Sequence, residues 1–598
     1  MHKYKSRKDV PEKYKWDLTD FYKNDKEFED CFKKCSKIIK SLNSYKGCTK
    51  DAKKVKEFLD KFYEAYDMVE NLEGYAYLIS DQELGVSKNM ERLSKSADLF
   101  SQFVVNSNFF DSELLTLNKK EYADLFKYKE LDKYKNLLDK TYRSKEHILD
   151  EKSETIIAEL NNAMNHFEEM SSTMLNKEHD YGTVEIDGIV ETISSTNYHK
   201  LMENKNRNIR KEVREKYSKT LDRYSNSSAQ FLNGYVKANI TDAKLHNFKN
   251  AWDAKLFNLN MPNKAYDALI NTTEENVKSY QKYLRIFKDT LGLDKLYQYD
   301  LQLDMAKSDK EYSIEEAQEL CMKAVEPLGK EYCKAFKKII DNRYVDYAQY
   351  PGKCSGGYSL STLSKDSRIL MSFNSNLSSV STLIHEGGHN VHHQFVKANN
   401  DMPYVNVSSL VSEVASLTNE CLLSHYLANN STSKEEKLAG INNIIEVVIS
   451  NLFGAVREGK LEQDFYNYVD SGNVITKDYM DKITLDSIKK YSGKEVEYDE
   501  YSGLSWARRS HYYMNYYLFN YAFCISVALF VASRIINGDK DMLDKYIKFL
   551  SIGSNVWPID AFRILDVDLE DKKVYEEAIK YFDSLLDQFV KISKEGVK

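Results

Sequence analysis

A His-Glu-x-x-His pattern, from His385 to His389, constrains the fold of this chain more than any other stretch. On an α-helix, residues four apart share a face, so His385 and His389 can present two imidazoles to one metal ion. Glu386 then stands beside the metal without binding it, where a base can take a proton from an attacking water. The pattern therefore predicts a helix with a metal-dependent hydrolytic site. The alternative is a surface helix that carries these residues by chance.

The stretch before the motif is the least helical part of the chain. A glycine-containing loop, Gly352–Ser361, leads into a strand, and a second strand, Arg368–Asn374, runs directly toward the motif. We expect the hydroxyls of Ser378–Thr382 to cap the helix that follows. A strand beside a metal site can hydrogen-bond an extended peptide through its backbone. The alternative is an ordinary small sheet packed on helices.

Two adjacent glycines, Gly387 and Gly388, lie inside the predicted helix. Each costs about 1 kcal/mol there relative to alanine, so we expect metal or substrate to approach the helix backbone at this point. His389 and His393 are also four residues apart. No acid stands in the base position between them, so the first pair is the preferred metal pair.

A third metal ligand should come from another helix. A catalytic zinc ion usually has three protein ligands, and Phe395 stands where a third histidine would follow the motif. In the next predicted helix, Ser408–Leu427, Glu413 and Glu420 lie at the border of an apolar arc, where a carboxylate is costly unless it is paired or binds metal. We predict Glu413 as the ligand and Glu420 as the acceptor for the other N–H of a ligand histidine. The alternative is two solvated acids.

The composition favours a mainly α-helical fold, because the 598 residues include only six prolines and many helix-forming residues. A net charge of −7 without a basic block gives no sign of nucleic acid binding. Eight scattered cysteines without a Cys-x-x-Cys pair suit reduced thiols in the cytoplasm. The start of the chain lacks the apolar core of a signal peptide, and Ala522–Ile536 is too short and polar for a membrane span, so we expect no membrane partner.

Apolar spacing predicts long helices over most of the chain, among them Lys119–Thr141, Lys205–Tyr224 and Ser228–Leu245. Asp187-Gly188 is typical of a hairpin turn, and Leu301–Ala306 is predicted as a short strand. We place a domain boundary near Thr196, with residues 1–195 as an N-terminal helical domain and residues 196–598 as the catalytic domain.

The combined motifs resemble the thimet-oligopeptidase-like zinc peptidases, and within them the oligoendopeptidase F branch. The resemblance extends over nearly the whole chain, and it lies in these stretches: His385-Glu386-x-Gly388-His389-x-x-His392, Glu413-x-x-Ser416-x-x-x-Glu420, Trp16–Asp20, Gly74–Ala76, Gly352–Ser359, Phe373-Asn374, Ser381–Leu383 and Trp506–His511. Gly387 departs from the branch, where a larger apolar residue is usual, and so does Ser510, where a proline is usual.

The resemblance implies an elongated helical body with a deep central channel. It also implies a small β-sheet next to a zinc-binding helix, a zincin-like site of the gluzincin type. It assigns one zinc ion to His385, His389 and Glu413, and the base to Glu386. The substrates it implies are short unfolded peptides cut at internal bonds.

One further role is an oxyanion donor besides the metal. The family has a histidine followed by tyrosines in the stretch His511–Tyr521. We predict His511 with Tyr517 and Tyr521 in this role. Tyr513, Tyr517 and Tyr521 are four residues apart and would share one helix face. The alternative is that these aromatic residues belong to the core or line the channel.

Three other functions stay open. The chain could be an exopeptidase of the same zinc class, a non-catalytic helical peptide-binding protein with a structural metal, or a hydrolase that uses cobalt or manganese. The sequence also leaves open whether the protein is a monomer or a homodimer, and which peptides it meets.

Overall fold

The computed structural model describes residues 4–150, 152–154, 156–157, 160 and 166–595. The chain folds into two compact units, and each unit is built from three separate stretches. The first unit comprises Met1–Glu146, Asp309–Tyr426 and Val531–Asp566, and the second comprises His147–Ser308, Leu427–Phe530 and Val567–Lys598. Helices dominate both units, so the predicted mainly α-helical class is confirmed. The domain boundary near Thr196 stays a prediction.

The first unit is built mostly of helices. Their bounds are Asp25–Leu42, Ala52–Gln82, Ser87–Ser107, Phe109–Thr116, Lys119–Leu125, Lys135–Arg143, Ile314–Ala324, Gly329–Asp341, Leu377–Asn399, Lys540–Leu550 and Pro558–Arg563. Polar residues fix several of their starts: Asp51 caps the second helix, and Ser313 and Glu316 form a reciprocal capping box. Pro327 lies between two of these helices and interrupts them, as its missing N–H predicts.

A three-stranded sheet lies in the first unit, and it positions the motif. Its strands are β3, Val345–Ala348, β4, Gly357–Leu360, and β5, Arg368–Phe373. The order is β3-β5-β4, with β5 parallel to β3 and antiparallel to β4. Strand β4, at the end of the glycine-containing loop, and strand β5, before the motif, were predicted. Strand β3 was not predicted. The central strand β5 runs straight into the helix Leu377–Asn399, which we call the motif helix.

The N-terminal helices pack on this sheet and fix its edge strand β4. Gly74 allows the close approach, because a Cβ there would lie 2.8 Å from the Thr362 methyl carbon. On the same helix, Asp81 accepts a hydrogen bond of 2.8 Å from the Tyr358 hydroxyl of β4. Leu370 of β5 belongs to the same core as the aromatic side chains of these helices. Burial of this large core stabilises the packing of the sheet on these helices.

The second unit is also helical. Its helices are His166–Thr173, Tyr198–Met202, Arg207–Leu245, Ala251–Leu259, Asn263–Glu275, Val277–Thr290, Lys434–Val448, Ala455–Asp470, Lys477–Ser492 and Lys573–Lys594. A hairpin of β1, Thr183–Ile186, and β2, Ile189–Thr192, confirms the turn predicted at Asp187-Gly188, where both residues have positive φ. Two helices, Ser409–Asn430 and Leu518–Ile536, include residues of both units.

Three predictions of secondary structure are wrong. The helix predicted over Lys119–Thr141 is divided into Lys119–Leu125 and Lys135–Arg143, because a 3-10 segment separates them. The two helices predicted between Lys205 and Leu245 are one, Arg207–Leu245, since no proline or glycine breaks the chain between them. Leu301–Ala306 forms turns and bends and is not a strand.

Two helical segments of the described chain, Lys434–Asp470 and Leu518–Ile536, are long and apolar enough to cross a membrane by these two measures. In the apolar 18-residue stretch of each segment, 61% and 78% of the residues, respectively, are buried inside the protein. This burial is what core helices show.

A candidate metal centre on two helices

The motif helix begins at a polar cap directly after β5. Asn376 Oδ1 accepts a hydrogen bond of 2.9 Å from the Ser379 backbone N–H, and Ser379 Oγ donates to the same oxygen. The cap is therefore Asn376, and the prediction of Ser378–Thr382 as the cap is wrong, because those residues already lie inside the helix. Ser375, with φ +57°, makes the sharp turn between strand and helix.

The structure brings together the three residues predicted to bind metal. His385 and His389 share one face of the motif helix, and Glu413 meets them from the helix Ser409–Asn430, which we call the carboxylate helix. Glu413 Oε2 lies 3.5 Å from Nε2 of each histidine. All three donor atoms lie within 4.8 Å of one another, and among the described residues this is the one such group of three.

Glu420 and two serines orient two of the three candidate ligands, His385 and Glu413. Glu420 Oε1 lies 2.6 Å from His385 Nδ1, and its other oxygen accepts a hydrogen bond of 3.2 Å from Ser381 Oγ. Ser416 Oγ donates to Glu413 Oε2 over 2.9 Å. The contact between Glu420 and His385 is the one predicted. The contact of Ser381 was missed, although its position four residues before His385 places it on the same helix face.

Gly388 lets the two helices approach closely. A Cβ at Gly388 would lie 2.8 Å from the Ser416 Cα and 2.9 Å from the Ala415 carbonyl oxygen, which are backbone atoms of the carboxylate helix. Asn419 strengthens this contact by donating a hydrogen bond of 3.0 Å to the Ile384 carbonyl oxygen. The close approach therefore sets the distance between Glu413 and the two histidines.

Gly387 leaves room for a neighbouring aromatic ring. A Cβ at Gly387 would lie 2.4 Å from a ring carbon of Phe336, a buried residue of the helix Gly329–Asp341. The expectation that metal or substrate approaches the backbone at the two glycines is therefore wrong, because protein atoms fill both positions. Phe336 also accounts for the absence of a larger side chain at Gly387.

The candidate site carries an excess of carboxylates. Three of them, Glu386, Glu413 and Glu420, surround two imidazoles, and Glu386 and Glu420 are buried. Burial raises the pKa of Glu413, but its hydrogen bond with His389 and the charges of both imidazoles bring that pKa to about 2. Burial lowers the pKa of His385, while the hydrogen bond with Glu420 and the nearby carboxylates raise it to about 9. The site thus favours a cation among its side chains.

Glu386 faces the edge strand β4. Its carboxylate oxygen would lie 3.7 Å from a Cβ placed on Gly357, the first residue of that strand. Burial raises the pKa of Glu386, and the two neighbouring histidines oppose this rise. A carboxylate whose pKa is raised accepts a proton more readily than one in water.

His392 and His393 lie outside this group. His392 is buried, its ring lies 6.1 Å from that of Phe549, and burial lowers its pKa to about 3. His393 Nδ1 lies 3.1 Å from Ser367 Oγ. The pairing of His389 with His393 is therefore not the one that the structure gathers around a carboxylate.

The residues present fit zinc. Two ligand atoms about 2.1 Å from a tetrahedral ion lie about 3.4 Å apart, and the distances from Glu413 Oε2 to both Nε2 atoms are 3.5 Å. Two imidazoles and one carboxylate are a common donor set for catalytic zinc. Glu420 holds Nδ1 of His385, so that Nε2 stays available.

In the second unit, the rings of His511, Tyr517 and Tyr521 form an aromatic cluster. The Tyr521 ring lies 6.1 Å from that of His511 and 5.3 Å from that of Tyr517. The predicted common helix face with Tyr513 is wrong, because the helix begins only at Leu518. Two residues before it, Asn515 and Tyr516, have positive φ and break the periodicity on which that prediction rested.

The fold, together with a His-Glu-x-x-His helix and a carboxylate from a second helix, is that of a metallopeptidase. A sequence profile of peptidase family M3 matches residues 200–581. A second profile, described as Oligopeptidase F, matches residues 113–180, and the boundary predicted near Thr196 falls between the two matches. The chain belongs to peptidase family M3. The resemblance to the oligoendopeptidase F branch is thereby confirmed.

Curated relatives support this assignment over the whole chain. Oligopeptidase PepF of Bacillus subtilis is 30% identical over 592 residues, which are 97% of this chain and 88% of that protein. The plasmid-encoded oligoendopeptidase F of Lactococcus lactis subsp. cremoris is 27% identical, with 99% of each chain covered.

Solved structures show the same fold. A Chlamydophila abortus protein provisionally assigned as a peptidase superposes with a TM-score of 0.91 and 23% identity, covering 98% of this chain and all of that one. Oligoendopeptidase-F from Enterococcus faecium superposes with a TM-score of 0.73 and 22% identity, covering 95% of this chain and 99% of that one.

Proposed function

We propose that this protein is a zinc metalloendopeptidase that hydrolyses internal peptide bonds of short unfolded peptides. The observation that carries the proposal is the group of His385, His389 and Glu413, with Glu386 beside it, in a chain of peptidase family M3. The names of its relatives, oligopeptidase and oligoendopeptidase, favour short peptides and internal bonds.

His385, His389 and Glu413 would hold the zinc ion, one per chain. When bound, zinc supplies Lewis acidity toward the attacking water and the peptide carbonyl. Glu420 positions His385 for this role, and Ser416 positions Glu413. Cobalt or manganese would suit the same donor atoms, so the identity of the metal is part of the proposal.

Glu386 is the general base. It would take a proton from the water that attacks the carbonyl carbon, and it would pass this proton to the nitrogen of the leaving amine. Its place next to the metal ligand His385 and its burial both suit this task. Since one carboxylate performs both transfers, it returns to its ionised form after each turnover.

The edge strand β4 is the proposed peptide-binding element. Within the described sheet, it pairs with β5 on one side only, so its other side can hydrogen-bond an extended peptide backbone. The start of the strand at Gly357 faces Glu386. A peptide bound in this way gains affinity from its backbone, which suits an enzyme that accepts varied sequences.

His511, Tyr517 and Tyr521 are the proposed donors to the oxyanion that forms when water attacks the carbonyl. This assignment rests on the family resemblance and on the clustering of the three rings. An imidazole N–H and a phenol O–H are both suitable donors for developing negative charge.

The proposal also covers the cellular location and the oligomeric state of the protein. Among the described residues, no two cysteines form a disulfide, which suits the cytoplasm as the expected location. The monomer and the homodimer both stay open. An exopeptidase of the same class and a non-catalytic peptide-binding protein are the competing functions.

The substitution Glu386→Gln tests the mechanism. It keeps the shape of the side chain but removes the base, so turnover should fall by about 100-fold or more while zinc content and thermal stability stay at the parent level. The substrate is a ten-residue peptide blocked at both ends, with products read by mass. The control is Glu331→Gln, an exposed acid in the same unit, which should cleave like the parent.

Near-parent cleavage by Glu386→Gln would reject Glu386 as the base. Release of terminal residues from the same peptide with free ends, with no cut in the blocked peptide, would favour the exopeptidase. Binding of the peptide without any cleavage by the zinc-loaded parent would favour the binding protein.

A further inference from the structure

A pocket of about 470 Å³ in the second unit combines aromatic walls with a small group of charged side chains. Tyr280, Phe453 and Tyr491 supply aromatic surface. The Tyr280 ring lies 5.6 Å from that of Phe453 and 6.5 Å from that of Tyr491. The charged side chains in its lining are Arg457, Glu458 and Arg509. A cavity of this size that combines aromatic walls with a few convergent polar groups is a candidate ligand-binding site.

The charges in this pocket do not balance. Glu458 Oε1 accepts a hydrogen bond of 3.0 Å from Arg457 and another from Arg509. One carboxylate thus faces two guanidinium groups, which leaves one positive charge in the lining. His511 also lines the pocket, and burial together with the charge of Arg509 lowers its pKa, so the imidazole adds no positive charge near neutral pH.

The two guanidinium groups also keep unused hydrogen-bond donors. Each has five N–H bonds in a planar fork that matches a carboxylate. Within the described part of the chain, Glu458 Oε1 is the one hydrogen-bond acceptor of either guanidinium. Arg457 is largely buried, with 21% of its side chain exposed, while Arg509 is 40% exposed. A second carboxylate could therefore enter the pocket and satisfy both groups.

The backbone around the pocket is unusual as well. A π-helix, Ile449–Gly454, contributes most of its residues to the lining and directly precedes the helix that carries Arg457. Such segments are rare and often lie at functional sites, because they shift side chains out of the regular helical spacing.

We propose that this pocket binds a carboxylate of the peptide substrate through Arg457 and Arg509. The inference rests on the proposed function, because His511 and Tyr521, the proposed oxyanion donors, also line the pocket. The carboxylate is either the free C-terminus of a short peptide or an Asp or Glu side chain within the peptide. The protein would thus prefer acidic or short peptides with a free end over neutral ones.

Peptide binding to the zinc-loaded full chain with Glu386→Gln tests the inference without requiring turnover. The fluorescent ten-residue peptides share one neutral sequence and are of three kinds. The first is blocked at both ends, and the second has a free C-terminal carboxylate. The third is a series of blocked peptides, each with a single Glu at a different position. At least one carboxylate peptide should bind about tenfold more tightly than the neutral one. The second and third kinds distinguish the two sources of the carboxylate.

Variants at the pocket assign the effect. Arg509→Gln should reduce the ratio of the dissociation constant of the neutral peptide to that of the preferred carboxylate peptide toward one. Arg509→Lys should retain part of this ratio. Glu458→Gln should increase the ratio, because it removes the compensating charge but keeps an acceptor oxygen. The control is Arg285→Gln, which removes a guanidinium paired with Glu495 outside the pocket and should leave the ratio unchanged.

Equal binding of all three kinds of peptide by the parent would overturn the inference, and so would an unchanged ratio in folded Arg509→Gln. Either result leaves the proposed peptidase function intact if the unsubstituted protein cleaves the neutral peptide. Conversely, a carboxylate preference without cleavage by the unsubstituted protein would support the pocket and reject the peptidase.

Discussion

Glu420 Oε1 lies 2.6 Å from Nδ1 of His385, which leaves Nε2 of the same ring 3.5 Å from Glu413 Oε2. The two nitrogens of one imidazole are thus divided between two carboxylates of the same helix, seven residues apart. A hydrogen bond to Nδ1 fixes the ring orientation and the tautomer, and it raises the basicity of Nε2. The geometry proposed for metal binding is therefore held by side-chain contacts alone.

The first prediction concerns this hydrogen bond. Glu420→Gln should lower the affinity for zinc by about 10- to 100-fold, because the amide holds the imidazole less firmly and lacks the charge. Competition with a fluorescent chelator measures the affinity. Glu326→Gln, at an exposed acid of the same unit, is the control. Unchanged zinc affinity in Glu420→Gln would mean that Glu420 serves the packing of the helices alone.

The second prediction concerns the helix interior. Gly387→Ala should destabilise the protein by about 1–3 kcal/mol, because the new methyl group overlaps the buried Phe336 ring. Phe336→Leu frees that space, so the double variant should be more stable than the sum of the single effects by roughly 1 kcal/mol. Urea unfolding of the four proteins measures the coupling. Additive effects would show that Phe336 is not what excludes a side chain at Gly387.

The spacing of residues along helices predicted much of the candidate site, and contacts between distant elements were the part it missed. His385, His389, Glu413 and Glu420 follow from positions four and seven apart, which depend only on local helix geometry. Phe336 could not be predicted, because it approaches Gly387 from a helix about fifty residues earlier in the chain. The same holds for strand β3, whose four residues are all buried and show no alternation.

The aromatic stretch shows a different reason for failure. Equal spacing of Tyr513, Tyr517 and Tyr521 suggested one helix face, but spacing alone does not show where a helix begins. Glu462 Oε1 accepts a hydrogen bond of 2.7 Å from the backbone N–H of Tyr516, which has a φ of +59°. A buried side chain from another helix thus holds this backbone outside the helical region.

The third prediction concerns a buried lysine. Lys353 Nζ donates to three carbonyl oxygens of the sheet over 2.8–3.0 Å and lies 2.7 Å from Asp346 Oδ1. Lys353→Met should cost about 3–5 kcal/mol, because three buried carbonyl oxygens lose a donor and the buried Asp346 loses one of its two cations, keeping Arg7 alone. Urea unfolding measures the loss, with the exposed Lys337→Met as control. A loss as small as that of the control would contradict the structural role of Lys353.

The fourth prediction concerns pH. Burial raises the pKa of Glu462 from 4.5 to about 8, and the Tyr516 N–H and Lys255 oppose this rise. Burial also raises the pKa values of the neighbouring Tyr266, Tyr466 and Tyr516 above their ordinary value. Between pH 4.5 and pH 8, Glu462 is protonated in the folded protein and ionised in the unfolded chain. The free energy of unfolding therefore falls as the pH rises from about 5 to 8.

Glu462→Gln removes this dependence. As the pH rises from 5 to 8, the free energy of unfolding of the variant should increase relative to that of the parent by a few kcal/mol. The increase is on the order of 1.4 kcal/mol per pH unit at most. Urea titrations at pH 5, 6.5 and 8 measure the difference, and the exposed Glu500→Gln serves as control. A constant difference between variant and parent across this range would show that Glu462 is ionised in the folded protein.

The most direct test of the central claim is cleavage of a quenched ten-residue peptide, blocked at both ends, by the protein with and without a zinc chelator. We expect internal cuts that stop when zinc is removed and return when zinc is added. Cleavage that persists after complete removal of the metal would contradict the account, and so would the absence of any cleavage by folded protein with one bound zinc per chain.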